Sequence, residues 1–252
     1  MVKVVFDERF YAVYSSDPAA APGRLECIVR EIRDSYEFVG CDFASESDVL
    51  LAHSPSHLER VKGLGDVYRI ALLAVGGAIR AAEIALSGEP AFALIRPPGH
   101  HASRDYAWGF CYFNNIAIAV LKMLELKRIK KALIVDFDLH FGDGTANIFS
   151  KHLHVQYFHM PYGPRDRQIH ELKAFLDRQG EYDLLAVSAG FDRHEDDWGK
   201  ILKTEDYFEI GRILRRFSLS NCNGAIFAVL EGGYNHAVLG RNVKAFLDGL
   251  KS

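Results

Sequence analysis

The chain has 252 residues, 49% hydrophobic and 25% charged, with a net charge of −3. These are the values of an ordinary globular protein, and they exclude disorder, collagen-like repeats and coiled coil. Four cysteines, Cys27, Cys41, Cys111 and Cys222, form no C-x-x-C pair, which excludes a disulfide framework or a cysteine zinc finger and fits a reducing compartment. The densest basic stretch, Lys127-Arg128-Ile129-Lys130-Lys131, is too short to give nucleic acid an electrostatic footprint. The first six residues run quickly into Asp7 and Glu8, unlike a secretory signal, and no apolar run reaches membrane-spanning length. A soluble cytoplasmic protein is expected.

In chain order, apolar and β-branched runs predict strands at 2–6, 91–95, 132–135, 155–158, 184–187 and 225–230. Apolar residues three and four apart predict helices at 67–86, 115–126, 169–178, 206–217 and 236–250. Alternation of the two implies an α/β fold with a mostly parallel central sheet flanked by helices. The strands read as nearly unbroken apolar runs, as strands buried on both faces do. Without a Pro/Gly/Ser-rich linker, a repeat or a low-complexity segment, residues 1–252 are expected to form a single domain.

Ligands of such sheets bind beyond the carboxyl ends of the strands. Four strand ends run into polar clusters: Arg96-Pro97-Pro98-Gly99-His100-His101, then Asp136-Phe137-Asp138-Leu139-His140-Phe141-Gly142-Asp143, then Ser188-Ala189-Gly190-Phe191-Asp192, and last Glu231-Gly232-Gly233-Tyr234. Residues two apart on extended chain point to one side, so Asp136, Asp138 and His140 form a plausible metal edge. Carboxylate oxygen and imidazole nitrogen are good zinc ligands, and Asp192 is the best placed third ligand, leaving one position open for water. The plain alternative is that Asp138 and His140 cap a helix starting near Asp143. His100-His101 follows two prolines that deny a helix; the pair is either a solvated loop or an acid/base device oriented by Asp136 and Asp143. Tyr234 follows a flexible Gly-Gly turn from which its hydroxyl can reach a developing oxyanion, or else it is an amphipathic aromatic at a sheet edge.

These segments, together with Gly109-Phe110-Cys111-Tyr112-Phe113-Asn114-Asn115, resemble the histone deacetylase superfamily, including its bacterial and archaeal deacetylases and acetylpolyamine amidohydrolases. Five motifs occur in the family's order, and the likeness runs in weaker form from the first strand to the last helix. The resemblance implies an arginase/deacetylase-like fold and a zinc-dependent amidohydrolase acting on acyl-lysine or an acylated small amine. It implies that Asp138, His140 and Asp192 hold one Zn²⁺, and that Tyr234 polarises the amide carbonyl. His101, oriented by Asp143, would be the main acid/base, and His100, paired with Asp136, would act electrostatically. Gly109 and Phe110 would line the substrate tube, Arg24 would match an internal-cavity arginine, and K⁺ would sit on backbone carbonyls near Asp136, Asp138 and His140.

The chain also departs from the family pattern. Between His159 and Ser188 it is short of a segment that carries a second aromatic wall of the tube, with Tyr162 the candidate replacement, and 62–68 is likewise short where relatives carry a rim loop. The active-site loops are thus expected to be shortened. Tyr157 stands where a serine commonly helps to bind K⁺, Trp198 replaces a usual proline, and 194–197 reads as a solvated or packed loop. Two other readings stay open. One is an arginase-like binuclear Mn²⁺ hydrolase, disfavoured by the lack of an Asp-x-His-x-Asp block; the other is a catalytically weak acyl-lysine binding module.

Overall fold

The computed structural model describes residues 1–252. Its elements run β1 (Lys3–Val5), α1 (Arg24–Ile32), β2 (Glu37–Val39), α2 (Glu46–Val49), α3 (Pro55–Lys62), α4 (Asp66–Leu86), β3 (Ala91–Ala93) and α5 (Asn115–Glu125). There follow β4 (Ala132–Asp136), α6 (Asp143–Phe149), β5 (Val155–His159), α7 (Arg165–Leu176), β6 (Leu184–Ala189), α8 (Thr204–Asn221), β7 (Ile226–Leu230) and α9 (His236–Lys251). All seven strands join one parallel sheet in the order β2-β1-β3-β7-β6-β4-β5. The α/β architecture implied by the alternation is the one observed.

Every residue of β3, β4, β6 and β7 is buried, because helices cover both faces of the sheet. On one face Phe92 meets Phe246 of α9 with ring centroids 6.3 Å apart, and Phe137, Phe191 and Tyr207 of α8 join the same aromatic cluster. Burying each such phenylalanine is worth about 1.5–3 kcal/mol. Alternation then turns Ala91, Ala93 and Ile95 towards α4 on the other face. There Gly77 lies so close that a Cβ at this position would stand 2.6 Å from Ile95 Cγ2, so the helix is seated by the absence of a side chain.

Several elements lie outside the predicted segments. β2 adds a seventh strand at the sheet edge, partly exposed along its whole length. α1 buries Leu25, Ile28, Val29 and Ile32, a helical spacing that the sequence displays. Ser54 caps α3 with proline at its first turn, again a readable signal.

The four central neighbours β3, β7, β6 and β4 are visited by the chain in a different order. Segments that leave their carboxyl ends, far apart in sequence, therefore meet at one rim.

Candidate active site

Asp138, His140 and Asp192 come together at that rim, each offering one ligand atom within 4.8 Å of the others, and they form the one such group of three in the chain. Asp138 leaves β4 and Asp192 leaves β6. The Asp138 carboxylate is held by the backbone N–H groups of His140 (2.9 Å) and Gly232 (2.8 Å), and Asp192 Oδ1 accepts from Leu139 N (2.9 Å). Gly190 and Gly232 pack directly on these carboxylates, where a Cβ would collide with Asp138. Gly142 holds the N-cap position of α6 without a side-chain cap, so Asp138 and His140 are not helix caps.

His140 Nδ1 lies 3.2 Å from Asp138 Oδ1 and 3.1 Å from Asp192 Oδ2. One ring proton is aligned with Asp138, which leaves Asp192 Oδ2 buried without a hydrogen bond. An unpartnered buried carboxylate oxygen costs far more than a partnered one. Burial, and next the neighbouring Asp138 charge, push Asp192 up from the usual carboxylate range. At His140 the adjacent carboxylates of Asp138 and Asp192 push the imidazole up to about 10. A cation shared by all three atoms removes both strains, and an N/O donor set of this kind suits Zn²⁺. The residues fit a divalent metal.

His100 and His101 both reach this floor, with ring centroids 4.1 Å apart, and both line a cavity of about 120 Å³. His100 Nδ1 lies 3.1 Å from Asp136 Oδ2. Burial opposes a charge on His100, but the Asp138 and Asp136 carboxylates outweigh it and raise the ring well above its ordinary value. His101 Nδ1 lies 2.6 Å from Asp143 Oδ1. Burial, and next the charge on His100, push His101 down to about 4, against the pull of Asp143. The two rings are thus shifted in opposite directions, and the Asp143 contact at Nδ1 leaves His101 Nε2 as the free acceptor.

Asp136 does not face the other two members of its alternating set. Its Oδ2 serves His100 and the Tyr157 hydroxyl (2.9 Å), while Oδ1 accepts from Asp138 N (3.0 Å). The chain turns after β4, so only Asp138 and His140 address Asp192. Glu231, fully buried, fastens the Gly99-His100 turn by accepting from Gly99 N (2.7 Å) and His100 N (3.2 Å).

Tyr234 faces the cavity, and its turn is fixed from three sides. Asp197 Oδ2 accepts from Tyr234 N and Asn235 N, both at 2.8 Å. Arg24, buried under the turn, donates to Gly233 O (2.8 Å) and Glu231 O (2.5 Å). Trp198 stacks on the Tyr234 ring at 4.0 Å and 26°. The 194–197 loop is therefore packed, with His194 and Asp197 buried.

Gly109, in the left-handed region at φ 59°, sits against the His101 ring, and Phe110 forms one wall of the cavity. Trp198 stands across from Phe110 at 6.4 Å and supplies the second wall. Tyr162, the sequence candidate for that wall, lies outside the cavity lining; its ring covers the Arg193 guanidinium at 5.5 Å. Trp108 completes the mouth. It stacks on His101 at 4.0 Å and donates its Nε1–H to Asp143 Oδ2 (2.9 Å). Trp108 escapes a reading of the sequence alone, with its place next to Gly109-Phe110 the one available signal, and the partners of Glu231 and Asp197 come only from the fold.

Fold and site together place a candidate metal-binding triad at the carboxyl edge of a parallel sheet. Residues 64–163 and 169–250 match the histone deacetylase domain, interrupted at 164–168, where α7 begins. A probable deacetylase of Methanothermobacter thermautotrophicus is 33% identical over 90% of this chain and 84% of its own length. The polyamine deacetylase HDAC10 of Danio rerio is 29% identical over 95% of this chain, which spans 46% of that protein. The crystal structure of the HDA15 HD domain superposes with a TM-score of 0.87 at 25% identity, covering 99% of this chain and 89% of that one. The chain belongs to the histone deacetylase family, and its relatives support a hydrolase activity of the deacetylase type.

Proposed function

We propose that residues 1–252 form the catalytic unit of a zinc-dependent amidohydrolase that removes an acetyl or related acyl group from a lysine side chain or an acylated polyamine. The observation that carries this reading is the buried, unpartnered Asp192 oxygen aimed at His140 and Asp138, beneath a cavity lined by His140, Tyr234 and His101, the last paired with Asp143. A relative that acts on polyamines supports the substrate class, as does a mouth of aromatic walls suited to a methylene stem. Cys41, Cys111 and Cys222 are buried and free, which supports a reducing, cytoplasmic setting. No helix is long and apolar enough to cross a membrane.

When bound, Zn²⁺ supplies Lewis acidity, lowering the pKa of water and polarising the acyl carbonyl. Asp138, His140 and Asp192 are the residues that hold it. His101, neutral because burial pushes it down to about 4, takes a proton at Nε2 from the attacking water and returns it to the leaving amine nitrogen. Asp143 keeps the other ring nitrogen protonated and the ring oriented. His100, paired with Asp136 at 3.1 Å, acts electrostatically from beside the reacting carbonyl. The hydroxyl of Tyr234, which stays protonated because burial raises it well above 10, donates to that oxyanion. Phe110 and Trp198 flank the acylated stem and exclude water.

The His140 side chain is 38% exposed, so the floor lies near the surface. We infer a shallow cup that tolerates bulkier or less extended acyl amines than a long tube does. The test is acetate release from an acetyl-lysine peptide and from acetylated polyamines, with and without added Zn²⁺. Release that depends on zinc and disappears in Asp192→Ala supports the proposal; equal release without metal, or none from any acylated amine, refutes it.

A further inference from the structure

Arg193 follows the metal-site residue Asp192 and is fully buried. Each oxygen it reaches is neutral. Nε donates to Phe137 O (2.9 Å) and Asp138 O (3.1 Å), and Nη2 donates to Asp138 O (2.9 Å) and Met160 O (2.5 Å). Nη1 donates to Pro161 O (3.2 Å) and to Oε1 of Gln168 (2.6 Å), itself fully buried in α7. A buried guanidinium carries a heavy desolvation cost unless its N–H groups are satisfied, and here the fork spends itself on four backbone carbonyls and one amide. These come from three separate segments: the turn after β4 that carries Asp138, the end of β5, and α7.

Convergent carbonyl oxygens are the coordination by which proteins hold alkali cations. In this chain a side chain supplies the charge. We propose that Arg193 is a built-in cation that takes the place of a bound alkali ion beneath the metal site, positioning Asp138 from behind. The neighbouring acceptors are also taken. Asp136 O accepts from Met160 N (2.8 Å), His159 Nε2 lies 3.0 Å from Asp138 O, and the Tyr157 hydroxyl donates to Asp136 Oδ2. Tyr162 covers the outer side of the guanidinium. The short passage from β5 to α7 is thereby tied to the metal-ligand turn by one side chain, without an ion entering from solution. Arg193 touches no substrate, so it is a positioning residue.

The test compares the protein in KCl, NaCl and tetramethylammonium chloride at equal ionic strength. Two quantities are read: the thermal midpoint of metal-free protein, and zinc affinity by competition with a chelating dye. Only the second rests on the proposed metal site, so a chain that bound no zinc would still test the role of Arg193 through the first. For wild type, both should be indifferent to the cation, with zinc affinity constant within about twofold. Arg193→Ala should bind zinc about 10–100-fold more weakly in tetramethylammonium, and K⁺ should restore a substantial part of the loss. Wild type that loses stability or zinc affinity when K⁺ is withdrawn would overturn the proposal, as would Arg193→Ala with unchanged affinity in every salt. If Arg193→Ala does not fold, the wild-type salt series decides alone.

Discussion

The floor and the mouth of the cavity are built on different principles. The floor residues Asp136, Asp138, Asp192, His100 and His101 are all buried. They hang from the ends of β3, β4 and β6 and are locked by backbone N–H groups and by one another. The mouth is aromatic, carried on loops, and about half exposed at Trp108 (52%) and Trp198 (48%). A side chain on the floor moves only if the sheet moves, whereas a side chain at the mouth can be exchanged at the cost of one stacking contact. Chemistry and choice of substrate are thus separable in this fold, and the substitutions below probe that division.

The largest effect is expected from Asp192→Ala. One zinc per chain should fall to almost none by metal analysis, with activity at background; undiminished metal content would remove Asp192 from the site. His101→Ala should leave zinc bound while kcat falls about 10²–10⁴-fold, measured by steady-state acetate release. Tyr234→Phe deletes one hydroxyl and should lower kcat about 10²–10³-fold, with zinc content unchanged.

The pH profile tests the environment of His101. Its folded pKa of about 4 lies below the ordinary value near 6.5, so the ring is neutral down to that point. The acid limb of kcat/KM should fall tenfold per pH unit only below about 4; a limb near 6.5 would mean that the ring is not shielded. The linked stability term has the same sign. The unfolded chain protonates first, so this contribution is complete above about 6.5 and is lost as pH falls towards 4.

The smallest effect belongs to the mouth. Trp198→Ala removes an aromatic pair worth about 0.5–1.5 kcal/mol and should raise KM about 2–10-fold, widening the range of acyl sizes accepted, with kcat changed less. A loss in kcat as deep as that of Tyr234→Phe would place Trp198 with the floor and erase the distinction.

What is legible in the sequence follows the same line. Strands buried on both faces announce themselves as apolar runs, and the polar clusters at their ends are readable because nothing in a core explains them. The edge strand β2, Glu37-Phe38-Val39, is too short for a period to develop. α1 is readable from Leu25, Ile28, Val29 and Ile32. At the mouth the sequence offers aromatic residues but no rule for their partners: Tyr162 is close in sequence to the missing wall yet covers Arg193, while Trp198, from beyond β6, crosses over to face Phe110. Asp197 falls in the stretch that reads as a solvated or packed loop, and the sequence offers no reading of Arg193; only the fold gives one the Tyr234 turn and the other a set of carbonyls.

The central claim is that one divalent ion on Asp138, His140 and Asp192 enables hydrolysis of an acylated amine. Acetate release from an acetyl-lysine peptide or an acetylated polyamine, measured while Zn²⁺ is titrated into metal-free protein, tests it most directly. The account predicts activity that rises with zinc and saturates at one ion per chain. Activity that is independent of zinc, that requires two ions per chain, or that never appears would contradict it.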